Sequence, residues 1–453
     1  MPQATTSTRW SLLLLATLAG AAVWWWLPAD DDVRLGLMVL TIAAVLWLTE
    51  AIPLTITALL IPVLATLTGL FELTAALAEF ANPILYLFLG GFTLAAALHS
   101  QQLDQLLASR IIRLAGGRLW LAALLLFATS AALSMWISNT ATAAMMLPLA
   151  LGLTARLDAE RERPTLVFVL LGVAYCASIG GIGTVVGSPP NAIAAAQMGM
   201  SFLDWLKFGL PVTLILLPIA IGVLYLTLRP RLNHRVELQL SDFEWTRARR
   251  LTLLIFGLTV CGWVLSQPLA ALLGSIKQFD SLVALMAIVA VAVTGVASWQ
   301  QIDDNTDWGV LLLFGGGLTL SALLKQSGAS SWLALQLASL LANTPAWLML
   351  LVLATFVVFL TELTSNTAVA ALLIPLFAPL AESLGLSPLV VTVVIAVAAS
   401  CAFMLPVATP PNAIVFASGH IRQREMVRAG LVLNIVLSLV IAALAYFVGD
   451  ILH

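Results

Sequence analysis

An all-α polytopic membrane protein, with about 11 transmembrane helices and two re-entrant hairpins in an inverted repeat, is the fold class that three observations on this sequence predict. The first is composition. Of the 453 residues, 61% are hydrophobic and 9% charged, with a mean hydropathy of +1.05, whereas a soluble domain carries roughly 25% charged residues. The second is duplication. Ser138-Asn139-Thr140 recurs as Ser365-Asn366-Thr367; Gly187-Ser188-Pro189-Pro190-Asn191-Ala192-Ile193 follows the first copy, and Ala408-Thr409-Pro410-Pro411-Asn412-Ala413-Ile414 follows the second. The third is that basic residues gather on one side of the topology these segments imply.

Apolar stretches of about 20 residues, enough to cross the hydrocarbon, place spans near 10–28, 34–50, 53–71, 82–99, 165–197, 207–228, 250–266, 282–297, 307–325, 386–418 and 426–449. The first ends in Trp24-Trp25-Trp26 and lacks a small-residue cleavage site, which predicts an anchoring span rather than a signal peptide. Pro-Pro dipeptides break the spans 165–197 and 386–418. The segments 119–155 and 346–383 each have room for two half-length helices, with the polar Ser-Asn-Thr near the middle. Each is expected to enter and leave the membrane on one side, under a cover of protein or beside a water cavity. Amphipathic stretches at 101–114 and 330–341 suit the interface plane, and suit ordinary loop helices equally. The longest polar stretch, Arg229 to Arg250, is a loop.

Phe88 to Leu94 matches Phe314 to Leu320 at an offset of 226, Ser-Asn-Thr repeats at 227 and Pro-Pro-Asn at 221. Each half holds five full spans and one hairpin, and an odd number of crossings turns the second half upside down. With the N-terminus cytoplasmic, 16 of the 20 basic residues fall in inner segments, leaving Arg34, Lys207, Lys277 and Lys325 outside, as the positive-inside rule requires. The C-terminus then lies outside. The first hairpin enters from the inner face and the second from the outer.

Each Ser-Asn-Thr offers two hydroxyls and a carboxamide. A hairpin tip or a broken span exposes N–H groups at a helix start, which favour anions, and carbonyls at a helix end, which favour small cations. Two such half-sites face to face read as the ion and substrate pocket of a transporter, able to hold Na⁺ through neutral oxygens beside a carboxylate. No Arg or Lys lies within these segments, so an anion there must be neutralised by dipoles and co-bound cations. Glu362 is the one carboxylate among them, and its first-half counterpart is Met135. It reads as a structural carboxylate paired with a polar group, the alternative being a coupling residue of a proton-driven carrier. Glu50, at a span end beside Pro53, reads as a helix-end group.

Nothing supports catalysis. Cys176, Cys261 and Cys401 lie in apolar segments without metal-ligand spacing and read as packing residues. His99, His234, His420 and His453 have no nucleophile or ligand spacing around them. Gly90-Gly91 and Gly315-Gly316-Gly317 fall inside apolar spans, which predicts close helix packing rather than a phosphate loop. The net charge of −2 argues neither way about nucleic acid, but no basic patch stands outside the membrane-flanking loops.

At these residues the chain resembles the divalent anion/sodium symporter family, in particular the bacterial INDY-type dicarboxylate transporters. Ser134 to Met146, Gly187 to Ile193, Asn305 to Val310 and Ala408 to Phe416 carry the likeness, in order and over nearly the whole chain. The resemblance implies an elevator-type transporter, working as a homodimer in a bacterial inner membrane. Residues 1–118 and 229–345 would form a scaffold. Residues 119–228, with hairpin 119–155 and broken helix 165–197, and 346–453, with hairpin 346–383 and broken helix 386–418, would form the mobile transport domain. The resemblance puts one sodium at Ser134, Ser138, Asn139 and Gly187, and another at Thr361, Thr364, Asn366 and Ala408. It puts the substrate carboxylates against Ser138, Asn139, Thr140 and Ser188 from one half, and against Ser365, Asn366, Thr367, Thr409 and Pro410 from the other.

The expected function is therefore sodium-coupled import of C4-dicarboxylates such as succinate, malate and fumarate. The expected partners are sodium ions, the small dicarboxylate, membrane lipid and a second copy of the chain, with no nucleic acid. A sodium-independent exchanger of the same architecture is the alternative. An anion channel would share the broken helices but would not need two hairpins meeting at one site. Citrate and sulfate are anions that the pattern does not separate from dicarboxylates.

Overall fold

Helices occupy every expected span in the computed structural model, which describes residues 6–155, 157–158, 161–235, 244–341 and 344–452. Arg156, counted above among the inner basic residues, positions 236–243 of the polar loop, and His453 lie outside the described residues. Seven helical stretches among those described are long and apolar enough to cross a membrane alone, or eight if Arg247–Val264 and Ser266–Leu272, bent by 81°, count as one. One of the seven, Asn366–Leu384, is an arm of the second hairpin. Thr6–Trp26 is unbroken at 21 residues but is not among the seven, and the other crossings are short or broken, such as Leu54–Leu67 with 14 residues and its repeat mate Phe279–Thr294 with 16.

The hairpins form where the polar tripeptides interrupt the apolar runs. Leu119–Ser134 and Asn139–Thr154 make the first, Ala346–Leu360 and Asn366–Ala381 the second. Arg163–Gly180 passes through two 3₁₀ turns, Gly181–Gly183 and Val185–Gly187, before Pro189–Met198 restarts the helix. In the other half, Pro388–Ala399 gives way to irregular chain until Pro410–Ala417. Both restarts carry proline in the first turn, where a missing N–H costs no helical bond.

Packing exchanges elements between the repeats. Pro189–Met198 lies on Asn366–Ala381, and Pro410–Ala417 lies on Asn139–Thr154. Farther out, Pro83–Ser100 packs on Phe279–Thr294, and Trp308–Gln326 packs on Leu54–Leu67. The glycines do serve close approach there: a Cβ built on Gly90 would lie 2.6 Å from the Ala284 Cβ, and one on Gly316 would lie 2.6 Å from the Ala58 Cβ. The two contacts are one contact made twice, since 90 to 316 and 58 to 284 are both offsets of 226.

Two features differ from expectation. Short helices Leu73–Leu77 and Trp299–Asn305 precede the glycine-rich spans at the same offset of 226, and at 5 and 7 residues they are too brief to register as periodicity. Cys176 and Cys401 are buried, but Cys261 is exposed and does not pack. Its helix turns the next residue, Gly262, toward Val283, which points Cys261 away from that interface.

Glu362 is structural. Only 2% exposed, its carboxylate accepts the N–H groups of Phe403 (2.6 Å), Met404 (2.8 Å) and Leu405 (3.0 Å) and the Asn434 carboxamide (2.7 Å). It therefore closes the donors that the break after Ala399 leaves open. Glu362→Ala would strand these groups at about 1–3 kcal/mol for each unmet partner. The melting temperature of the solubilised protein is expected to fall well below the parent's, and less for Glu362→Gln, which keeps an acceptor oxygen. An unchanged melting temperature in Glu362→Ala would show that these bonds do not hold the break.

Candidate functional site

Four helix starts meet at one place. Ser138 caps Asn139–Thr154, its hydroxyl accepting from the Ala141 N–H at 3.2 Å, and Ser365 stands at the equivalent position of Asn366–Ala381 without a side-chain cap bond. Ser188 begins Pro189–Met198, and Thr409 begins Pro410–Ala417 while accepting from the Asn412 N–H at 3.3 Å. Serine, threonine and asparagine suit such positions because a short side chain can reach the first free N–H groups. The Ser188 and Ser400 hydroxyls lie 3.3 Å apart and join the halves.

These starts open on a cavity of about 600 Å³. Ser138, Asn139, Thr140, Ser188, Ser365, Asn366, Thr367, Thr409 and Pro410, the nine residues expected to meet substrate, all line it. Of the residues expected to hold sodium, Ser138, Asn139, Gly187, Thr364, Asn366 and Ala408 also line it. Ser134 and Thr361 are fully buried behind it and reach it through a neighbour. Ser134 Oγ donates to Asn139 Oδ1 at 2.5 Å, and Thr361 Oγ1 donates to Asn366 Oδ1 at 2.5 Å, again one contact made twice. The Thr364 hydroxyl is directed at the Trp47 carbonyl, 3.5 Å away.

Behind Asn139 the oxygens crowd. A Cβ on Gly187 would stand 2.5 Å from the Gly181 carbonyl oxygen and 3.0 Å from that of Ser134, and one on Gly181 would strike Asn139 Oδ1. Carbonyl, carboxamide and hydroxyl oxygens form a neutral donor set of a kind that suits a small hard cation such as Na⁺.

Residues outside the motifs complete the wall. Glu50, Thr55, Phe88, Phe92, Asn305 and Asp307 line the cavity too. Glu50 is the helix end expected of it, with φ of 49°, but it also faces the site. Asp307 caps the next helix through the Val310 N–H at 3.1 Å. The stretch Asn305 to Val310 stood out in the sequence, which was the available signal for Asp307. Phe88 and Phe92 lie in the repeated stretch Phe88 to Leu94, which marked the duplication but not the site, and Thr55 gave no signal.

Comparison with known proteins agrees with this architecture. A family model described as CitMHS, citrate transporter, matches residues 44–371 and 271–450. The chain belongs to that family. It is a multi-pass membrane transporter and not an enzyme. An uncharacterized transporter of Haemophilus influenzae is 52% identical over 427 residues, covering 93% of each chain. The sodium-dependent dicarboxylate transporter SdcS of Staphylococcus saprophyticus is 33% identical over 474 residues, covering 96% of this chain and 90% of that protein. Among solved structures, the Alcanivorax borkumensis YdaH transporter has the same fold, with a TM-score of 0.59 at 17% identity over 83% of this chain and 88% of that one.

Asn139 and Asn366 each join a buried hydroxyl to the cavity, and neither has a substitute nearby. Asn139→Ala and Asn366→Ala are each expected to abolish uptake while leaving expression and chromatographic behaviour intact, a loss of about 1–3 kcal/mol per unmet partner. Wild-type uptake by either variant in proteoliposomes would remove that residue from the site.

Proposed function

We propose that this transporter couples inward sodium movement to uptake of C4-dicarboxylates such as succinate, malate and fumarate. The observation that carries the reading is the cavity itself. Both Ser-Asn-Thr motifs and both Pro-Pro helix starts line it, and the charged side chains among the described lining residues, Glu50 and Asp307, are acidic. Each helix start supplies at most about half a positive charge, and no lysine or arginine is among the described residues that line the wall. A dianion therefore needs co-bound cations, and the neutral oxygens at Ser134, Ser138, Asn139 and Gly187 and at Thr361, Thr364, Asn366 and Ala408 are the residues proposed to hold them. The SdcS relative, named as sodium-dependent and dicarboxylate-transporting, supports the same assignment.

The transport domain is proposed as 119–228 with 346–453, moving against a scaffold of 1–118 with 229–345 in a homodimer of the inner membrane, N-terminus cytoplasmic and C-terminus outside. The cavity is lined by Glu50, Thr55, Asn305 and Asp307, from segments assigned to the inner face by the positive-inside rule, so this state faces inward. An aromatic stack lies on the side that the same rule assigns to the outer face. Trp136 on the first hairpin lies 5.1 Å from Phe256 and 6.0 Å from Phe202, which stacks on Trp263 at 4.8 Å. Asp280 tightens this contact by accepting the Phe202 N–H at 2.6 Å. Leu363, the counterpart of Trp136, is 73% exposed. Transport would exchange these environments as the inverted halves trade places.

Sodium should raise apparent substrate affinity, and by linkage substrate should raise sodium affinity by the same factor. Proteoliposome uptake in sodium and in choline media measures this, and equal affinity in both would favour a sodium-independent exchanger. Motion is tested by a disulfide. A Cβ on Gly317 would lie 3.5 Å from that of Ala371, within the ~3.5–4.5 Å that a disulfide spans. The double variant Gly317→Cys, Ala371→Cys is expected to lose transport on oxidation and regain it on reduction. Full transport by the cross-linked protein would exclude movement of the second hairpin against Trp308–Gln326.

A further inference from the structure

The asparagine that ends each Pro-Pro-Asn motif is outside the cavity, and nothing above gives it a task. Asn191 and Asn412 are both fully buried. Asn191 Nδ2 donates to the carbonyls of Gly181 (2.8 Å), Ile182 (3.3 Å) and Thr184 (2.7 Å). Asn412 Nδ2 donates to those of Ala402 (3.0 Å) and Leu405 (3.1 Å). Gly181 and Ala402, Thr184 and Leu405, and the asparagines themselves are all related by an offset of 221, so the same bonds are built in both halves.

Each bond leads to a residue of the proposed cation sites. The Thr184 carbonyl that Asn191 holds also accepts the Gly187 N–H at 3.3 Å, and the Leu405 carbonyl that Asn412 holds also accepts the Ala408 N–H at 3.2 Å. In the first half the same turn carries Gly181, which abuts Asn139 Oδ1, and Thr184, whose hydroxyl donates to the Met135 carbonyl at 2.5 Å. Asn191 thus fixes Gly187 relative to Ser134 and Asn139. The other end of each carboxamide is idle: Asn191 Oδ1 and Asn412 Oδ1 are buried with no hydrogen-bond partner among the described residues. An orphaned buried acceptor is unfavourable, and the fold bears it twice at equivalent positions, which marks the donor end as the part that is used.

We propose that Asn191 and Asn412 are positioning residues for the two co-transported cations, each setting the carbonyl geometry of its half-site through the turn it ties to the helix start. The proposal rests on the sodium-coupled reading above. Groups that orient ion ligands without touching the ion change affinity by roughly 10- to 100-fold when removed.

The test uses Asn191→Leu and Asn412→Leu, which keep the side chain's size and remove its donors, and Asn191→Ser and Asn412→Ser, which keep a shorter donor. Half-saturation by sodium, substrate half-saturation at saturating sodium, and the sodium-induced rise in melting temperature are measured for each in the full-length protein. Half-saturation by sodium is expected to rise roughly tenfold or more in the leucine variants and less in the serine variants. Substrate half-saturation should stay near the parent's value once sodium saturates, and the sodium-induced thermal shift should shrink. If the leucine variants do not fold, the serine variants decide by the same readouts. A parent-like sodium dependence in folded variants, or a loss of stability with unchanged sodium affinity, would overturn the proposal. Uptake by the parent that needs no sodium would instead overturn the coupling reading, so the two failures are distinct.

Discussion

A helix that stops inside an apolar protein leaves N–H and C=O groups that bulk water cannot reach, and each must find a partner or face a cavity. The architecture here follows from how those groups are divided. Glu362, Asn434, Asn191, Asn412 and the Trp205 indole, which donates to the Ile182 carbonyl at 2.9 Å, satisfy the groups behind the breaks and so fix the backbone. The groups at the starts of Asn139–Thr154, Asn366–Ala381, Pro189–Met198 and Pro410–Ala417 are the ones turned to the cavity. The first set holds the shape, and the second faces the cavity. A cavity with no lysine or arginine among its described lining residues is possible for an anion because four helix starts converge on it.

The inverted repeat explains why the parts come in pairs, and its departures are as informative as its matches. The Gly90–Ala284 and Gly316–Ala58 contacts, the Ser134–Asn139 and Thr361–Asn366 bonds, and the two asparagine ties are faithful copies. Glu362 has Met135 as its counterpart, and Trp136 has Leu363. Two inverted halves held in one conformation need not have equal surroundings. Trp136 sits in an aromatic stack while Leu363 is exposed. The break after Ala399, which is irregular over ten residues, needs a carboxylate to gather three successive N–H groups, whereas the 3₁₀ turns at 181–187 meet part of that demand within the chain.

Both hairpins and both broken spans were legible because polar tripeptides and paired prolines stand out against apolar sequence. The nine residues expected to meet substrate sit in or beside those motifs, and all nine line the cavity. The short helices Leu73–Leu77 and Trp299–Asn305 were not, since neither completes two turns, and Cys261 was misread because an apolar stretch does not say which side of a helix faces a neighbour. Phe88 and Phe92 stand in the repeated stretch Phe88 to Leu94, but their place on the cavity wall, like that of Thr55, depends on the packing of one repeat's spans on the other's. Asp307 lay within a stretch that stood out, but its place on the cavity depends on how Trp308–Gln326 is set against the hairpins.

The sequence by itself determined the membrane environment, the order of spans and hairpins, the duplication, and the neutral oxygens and helix starts that make up much of the site. Those properties depend on composition, spacing and backbone chemistry, which are one-dimensional. Only the tertiary structure decided that Glu362 is consumed by three backbone N–H groups and a carboxamide, that Glu50 faces the cavity as well as ending a helix, and that Asn191 and Asn412 hold the carbonyls beside Gly187 and Ala408. Each of these depends on which buried donors and acceptors meet across the fold. In an apolar interior that pairing is decided by packing, and one carboxylate reads the same in sequence whether it binds cargo or closes a break.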